Sequence, residues 1–177
     1  MKNILVISAS PRKNGNSDML CDYFVEGAQQ QKHNIEKVRL QEKNINYCLG
    51  CRVCATTKEC IQKDDMSEII NQMLLADIIV LATPVYFFSM SAQLKTMIDR
   101  TIPCYKMMSN KEFYFFTTAA EQGKQYLFST IDSLKGFVDN LDGGIVKGVI
   151  MAEDVKNMND IKGRIELDIA YEYGLNV

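Results

Sequence analysis

Two rhythms of apolar and polar positions alternate along this chain, and their alternation predicts its architecture. Ile4-Leu5-Val6-Ile7 is a short apolar run, rich in β-branched residues and free of breakers, which predicts a strand. From Asp18 to Lys32, Met19, Leu20, Tyr23, Phe24, Gly27 and Ala28 share one helical face while Asp22, Glu26, Gln30 and Gln31 lie elsewhere. Asn34 to Leu40 alternates Ile35, Val38 and Leu40 imperfectly with charged residues, the pattern of a strand near a sheet edge. Regularity then stops: from Gln41 to Lys63 neither period is sustained.

Asp64-Asp65-Met66 restarts a helix, with acidic residues where the helix dipole favours them and Ile69, Ile70, Met73 and Leu74 on one face. Asp77 to Ala82 is an apolar run of the kind found in a central parallel strand covered on both sides. Met90 to Tyr105 predicts a helix with Leu94, Met97, Ile98 and Ile102 inward and Lys95, Asp99 and Arg100 outward, distorted or ended by Pro103. Glu112 to Thr117 predicts a strand, Gln125 to Leu141 a helix closed by Asp142-Gly143-Gly144, Ile145 to Met151 a strand and Asn157 to Tyr173 a last helix. The order βαβαβαβαβα predicts an α/β fold, a doubly wound five-stranded parallel sheet of order 2-1-3-4-5 with helices on both faces. One domain over residues 1–177 is expected, with an insertion at 41–63.

Composition narrows the functions this fold could carry. A net charge of −2 gives no electrostatic reason to expect nucleic acid or an anionic membrane as partner. No apolar run approaches about 20 residues and the N-terminus has no signal-peptide pattern, so a cytoplasmic protein is expected. Six cysteines in such a chain point to metal or redox chemistry, or to packing, before disulfides. Cys21 and Cys104 are expected to be packing residues, and His33 a partner of a helix C-terminus.

The chemistry concentrates where strands end. The turn Ser8-Ala9-Ser10-Pro11-Arg12-Lys13-Asn14-Gly15-Asn16-Ser17 joins the first strand to the first helix. Donors from Ser10, Asn16 and Ser17, charge from Arg12 and Lys13, and a bend at Gly15 beside a helix N-terminus suit a phosphate. The loop lacks the Gly-Lys-Ser/Thr of a triphosphate site and the Gly-x-Gly-x-x-Gly of a dinucleotide site. A single terminal phosphate fits better, and the flavin mononucleotide (FMN) site of doubly wound folds lies at this edge. Thr83 to Ser89 adds Pro84 and Val85 with the aromatics Tyr86 and Phe87, able to flank a planar ring, and Thr117 to Gly123 closes the far side. The same residues also fit a polar turn capped by Ser17 that binds nothing, with the aromatics as ordinary core or interface residues.

Ser8 to Ser17, together with Thr83-Pro84-Val85-Tyr86 and Ser91-Ala92-Gln93-Leu94-Lys95-x-x-Ile98-Asp99-Arg100, resembles the NAD(P)H-dependent FMN reductases of the flavodoxin-like superfamily. The cysteine insertion is similar to that of the iron–sulfur flavoproteins of the same superfamily. The resemblance implies a flavodoxin-like fold, noncovalent FMN, NAD(P)H as co-substrate and a homodimer or homotetramer. It places Ser10, Arg12, Asn16 and Ser17 at the phosphate and Pro84, Val85, Tyr86 and Phe87 at the ring and ribityl chain. Thr118, Ala119 and Ala120 take the place of the third loop, where the glycine-rich pattern common in the group gives way to Thr-Thr-Ala-Ala-Glu-Gln-Gly.

Cys48-x2-Cys51-x2-Cys54-x5-Cys60 sets four thiols within thirteen residues. Bacterial ferredoxin runs share the opening but place the fourth cysteine after three residues, for a second cluster. A structural zinc more usually separates two cysteine pairs by a longer segment. The resemblance implies that these four hold a [4Fe–4S] cluster, and free thiols packing a subunit interface are the other reading. Three functions therefore stand open: an FMN reductase passing hydride from a nicotinamide to a quinone, flavin or similar small-molecule acceptor; an electron carrier with FMN and a cluster serving a ferredoxin-like protein; and a non-enzymatic phosphate or nucleotide sensor.

Overall fold

The structure is a computed structural model describing residues 1–177. In chain order it comprises β1 (Asn3–Ser8), α1 (Asn16–Ala28), β2 (Asn34–Arg39), α2 (Val53–Thr57), α3 (Met66–Leu75) and β3 (Ile78–Tyr86). After these come β4 (Ser89–Met90), α4 (Ala92–Asp99), β5 (Glu112–Thr118), α5 (Gln125–Val138), β6 (Ile145–Ala152) and α6 (Ile165–Leu175). The parallel strands lie in the order β2-β1-β3-β5-β6, and β4 pairs antiparallel with the end of β3. The expected order 2-1-3-4-5 is thus 2-1-3-5-6 once β4 is counted. A two-residue strand carries no alternation by which a sequence could announce it.

Successive residues of the central strands point to opposite faces, and both faces are covered. Leu5, Ile7, Ile79, Leu81, Phe113 and Phe115 meet Ile69 and Met73 of α3, Leu94 and Met97 of α4 and Ile131, Leu134 and Val138 of α5. Ile4, Val6, Ile78, Val80, Tyr114 and Phe116 meet Leu20, Phe24 and Ala28 of α1 and Leu167 and Ala170 of α6. This is why β1 and β3 read as continuous apolar runs. Each of the Val, Leu, Ile, Met and Phe side chains among these contributes about 1.5–3 kcal/mol by leaving water. On the second face α1 and α6 touch backbone to backbone: a Cβ on Gly27 would overlap the carbonyl of Tyr171, and one on Gly174 that of Phe24.

Three helices differ from expectation for local reasons. The predicted 90–105 helix stops at Asp99, because the residue before Pro103 is pushed out of the α region and a short 3₁₀ turn over Tyr105–Met107 follows. Arg100, expected outward, is buried, and Ile102, expected inward, is exposed. The last helix begins at Ile165 rather than Asn157, since Asn159 and Gly163 are both left-handed at φ 72°. Within the insertion α2 lies between left-handed Arg52 and Lys58, a five-residue helix too short to show a period.

Cys21 and Cys104 are buried, as packing residues should be, and all six cysteines are free. His33 instead bridges the chain ends: its Nδ1 accepts from the Lys2 N–H at 3.1 Å, and its Nε2 lies 3.1 Å from the Val177 carbonyl. No helix is long and apolar enough to cross a membrane.

Candidate functional site

Strand register brings the three polar loops to one edge. Ser8 pairs with Ala82, Thr83 with Thr117 and Pro84 with Thr118, so β1, β3 and β5 end together. Pairing runs one residue further where the Ala9 N–H donates to the Ala82 carbonyl at 2.8 Å. The Ser10 hydroxyl then donates to the Arg12 carbonyl at 2.8 Å and accepts from the Arg12 N–H at 3.2 Å, closing a tight turn. Gly15 is required by space: a Cβ there would stand 2.5 Å from Ser10 Oγ and 3.1 Å from the Arg12 carbonyl.

Beyond this turn α1 begins without a side-chain cap, Gly15 occupying the cap position. The alternative in which Ser17 caps the helix is therefore not what the chain adopts. The N–H groups of Asn16 and Ser17 meet no protein acceptor and stand at the positive end of the helix. Asn14 is left-handed, and its N–H donates to Asp18 Oδ2 at 3.0 Å. Asp18 is itself buried and ion-paired to Lys37 at 2.9 Å and Arg39 at 3.5 Å. Burial works to raise the Asp18 pKa, but the Ser8 hydroxyl, the Lys37 ammonium and the Asn14 amide hold it below the usual carboxylate range. Asp18 shapes the loop from beneath, a role invisible in sequence because its cationic partners lie on β2.

Ser10, Arg12, Asn16, Ser17, Pro84, Val85, Tyr86, Thr118 and Ala120 line one cavity of about 240 Å³. Pro11, Gly15, Val155 and Lys156 complete it. Lys156, absent from the sequence-based set, adds a second cation; it lies after β6, where no motif marks it. Asn16 lines the cavity in a different way from that expected. Its amide donates to the carbonyls of Val155 at 3.0 Å and Asn157 at 2.8 Å, which ties the first loop to the one that carries Lys156.

Phe87 and Ala119 do not line this cavity. The Ala119 N–H is spent on the Ala152 carbonyl at 2.8 Å, a continuation of the sheet. Phe87 is 98% exposed at the tip of the β3–β4 hairpin, where Phe87 and Phe88 are both left-handed at φ 48° and 62°. Phe88 turns back onto Tyr126, ring centroids 5.5 Å apart. Thr83 Oγ1 accepts from the Ser91 N–H at 2.9 Å and Ser91 Oγ donates to the Ala9 carbonyl at 3.2 Å, fixing the second loop against the first.

Cys48, Cys51, Cys54 and Cys60 line a separate cavity of about 300 Å³, closed on its other side by Asp99, Arg100, Ile102 and Pro103. No three His, Cys, Asp or Glu side chains converge as they would on a single ion. The four cysteines instead line one hollow, and cysteine sulfurs are the ligands by which iron–sulfur clusters are held. Arg100 and Asp64 anchor the loop: Nη1 meets Oδ2 at 2.7 Å and Nη2 meets Oδ1 at 2.9 Å, with side chains 2% and 1% exposed. Burial works to raise the Asp64 pKa, but Arg100 and the N–H groups of Asn46 and Met66 outweigh it and hold the carboxyl at about 2.

Residues 2–153 match the family model described as NADPH-dependent FMN reductase. The chain belongs to this family. Among the relatives of this FMN reductase family member is an iron-sulfur flavoprotein of Archaeoglobus fulgidus, 41% identical over 97 residues, which are 55% of this chain and 44% of that protein. The chain spans about half the length of such curated relatives in the matched stretch. An iron-sulfur flavoprotein of Clostridioides difficile is 28% identical over 170 residues, 94% of this chain and 74% of that protein. The solved NAD(P)H:quinone oxidoreductase from Methanothermobacter marburgensis superposes with a TM-score of 0.79 at 18% identity, over 99% of this chain and 95% of that one. At that identity the likeness speaks for the fold of this family member.

Proposed function

We propose that this protein is an FMN-dependent oxidoreductase that takes reducing equivalents from NAD(P)H and delivers them to a small acceptor such as a quinone or a free flavin. One observation carries the reading: an uncapped helix N-terminus, two hydroxyls and the cations Arg12 and Lys156 surround a cavity whose rim is Pro84, Val85 and Tyr86. The fit to FMN is chemical. Free N–H groups and cations suit a dianionic phosphate, and the Pro84–Tyr86 rim gives a flat ring a rigid edge.

Bound there, FMN supplies the two-electron chemistry that side chains lack. The chain's own contribution is to hold and to exclude. Ser17 would donate to a phosphate oxygen, as would Ser10 once its hydroxyl turns from the Arg12 carbonyl; Arg12 and Lys156 would neutralise the phosphate, and Tyr86 would screen the ring edge from water and shape acceptor access. Thr118 and Ala120 bound the opposite side. The cavity sits on rigid strand ends, so little ordering is required when the cofactor enters.

A second element belongs to the reading because of the four-cysteine cavity. Cys48, Cys51, Cys54 and Cys60 would hold a [4Fe–4S] cluster, which supplies single electrons and lets a ferredoxin-like protein serve as partner. The unpaired state of all six cysteines suits a reducing cytoplasm. A homodimer or homotetramer is part of the same reading, since Phe87 and Phe88 leave apolar surface exposed next in sequence to Tyr86 of the cavity rim.

Anaerobic purification followed by a visible spectrum, flavin release and NAD(P)H oxidation with added quinone tests the function. A yellow or brown protein that oxidises NAD(P)H supports it. A colourless protein that takes up no FMN would overturn it and favour a phosphate or nucleotide sensor.

A further inference from the structure

Arg100 directs three of its five donor hydrogens to acceptors outside the four cysteines, and its Nε–H is left over. Its Nη1 donates to Asp64 Oδ2 at 2.7 Å and to the Asn46 carbonyl at 2.6 Å, and Nη2 faces Asp64 Oδ1 at 2.9 Å. Asn46 and Asp64 flank the cysteine loop on either side, so the guanidinium plane is fixed from both ends of the insertion. The side chain is 2% exposed, and its Nε has no acceptor. A buried donor of a charged group that meets no acceptor is destabilising, and a bound acceptor removes that cost. Arg100 lines the four-cysteine cavity together with Cys60.

We propose that Arg100 is a positioning residue of the four-cysteine centre, its Nε–H donating to the sulfur of Cys60 while Asp64 and Asn46 lock the plane of the guanidinium. This rests on the reading of that cavity as an iron–sulfur site. A hydrogen bond to a ligating sulfur stabilises the form with the extra negative charge, so Arg100 raises the reduction potential of the centre. The step affected is the gain of one electron by the oxidised centre, with no proton taken up and the electron coming from the reductant used in the titration.

The test uses the full chain reconstituted anaerobically with iron and sulfide, its loading checked by iron content and visible spectrum. Midpoint potentials are then measured by dithionite titration with redox mediators. R100K keeps a cation opposite Asp64 but has no second donor fixed toward Cys60. The loaded variant should be about tenfold harder to reduce, which is about 59 mV more negative for a one-electron couple. D64N keeps one oxygen that accepts from the guanidinium, beside the Asn46 carbonyl, and removes a negative charge, so its potential should stay or rise. R100K loaded equally and with an unchanged potential would overturn the proposal, as would both variants shifting in the same negative direction. In case R100K does not load, the contact is read without it: isotope-labelled arginine in an R52K chain should show a nitrogen hyperfine coupling to the reduced centre, and its absence overturns the proposal. A wild-type chain that takes up no iron and sulfide overturns the iron–sulfur reading itself, and this proposal with it.

Discussion

Asn16 and Val155 are joined across 139 residues of sequence, the side-chain amide of one donating at 3.0 Å to the backbone carbonyl of the other. The bond sets the loop that carries Lys156 against the loop that carries Arg12, and so brings the two cations to one cavity. Replacing Asn16 with Ala should cost about 2 kcal/mol, because the carbonyls of Val155 and Asn157 lose a donor in a buried place. N16D should cost more, since a carboxylate would face those carbonyls. FMN affinity should fall in both, as flavin fluorescence titration alongside denaturant unfolding would show.

Arg12 and Lys156 should act on the phosphate alone. R12Q and K156Q should each weaken FMN about tenfold, the effect of losing one charge-assisted hydrogen bond. Riboflavin, which has no phosphate, should bind both variants as it binds the native chain. The salt dependence of FMN binding should flatten in each. Equal losses for the two flavins would show that the cations act through the fold.

Phe87 is held in a left-handed backbone with its ring in solvent. Such a conformation costs a bulky residue about 1–3 kcal/mol, and Asn tolerates it much better. F87N should therefore raise the stability of the isolated chain by about 1 kcal/mol, seen as a higher denaturant midpoint at low protein concentration. Self-association should weaken at the same time, measurable by sedimentation.

Asp64 ties acid stability to the cysteine loop. Its carboxyl is held at about 2 when folded against an ordinary 3.8 when unfolded, so the unfolded chain binds more protons between those values. The stabilisation is therefore complete about one pH unit above 3.8 and is lost as pH falls through about 2. It amounts to about 2 kcal/mol at 1.36 kcal/mol for each pH unit. Acid titration of D64N by circular dichroism should lack this step while being less stable at neutral pH.

The long patterned elements are legible in the sequence because periodicity records burial. β1, β3 and β5 are covered on two faces, and α1, α3 and α5 each lay one stripe on the sheet. The polar loops are legible because strand order forces their ends together. What escapes is pairing at a distance. Arg100 reads as a solvent-facing helix charge until Asp64 is placed against it, and Lys156 carries no motif. Asn16 reads as a phosphate donor because its amide suits one, yet its partners are backbone carbonyls that any sequence would supply. Phe87 reads as a ring contact, and a two-residue hairpin turns it outward.

The glycine contact between α1 and α6 reaches beyond packing. Gly27 and Gly174 leave no slack between the two helix axes, so a shift of the second helix is delivered whole to the first. Because α1 starts at the first loop of the proposed flavin cavity, α6 has a lever on that cavity. Adding a single methyl group at Gly174, well away from the cofactor, should register in how firmly the cofactor is held.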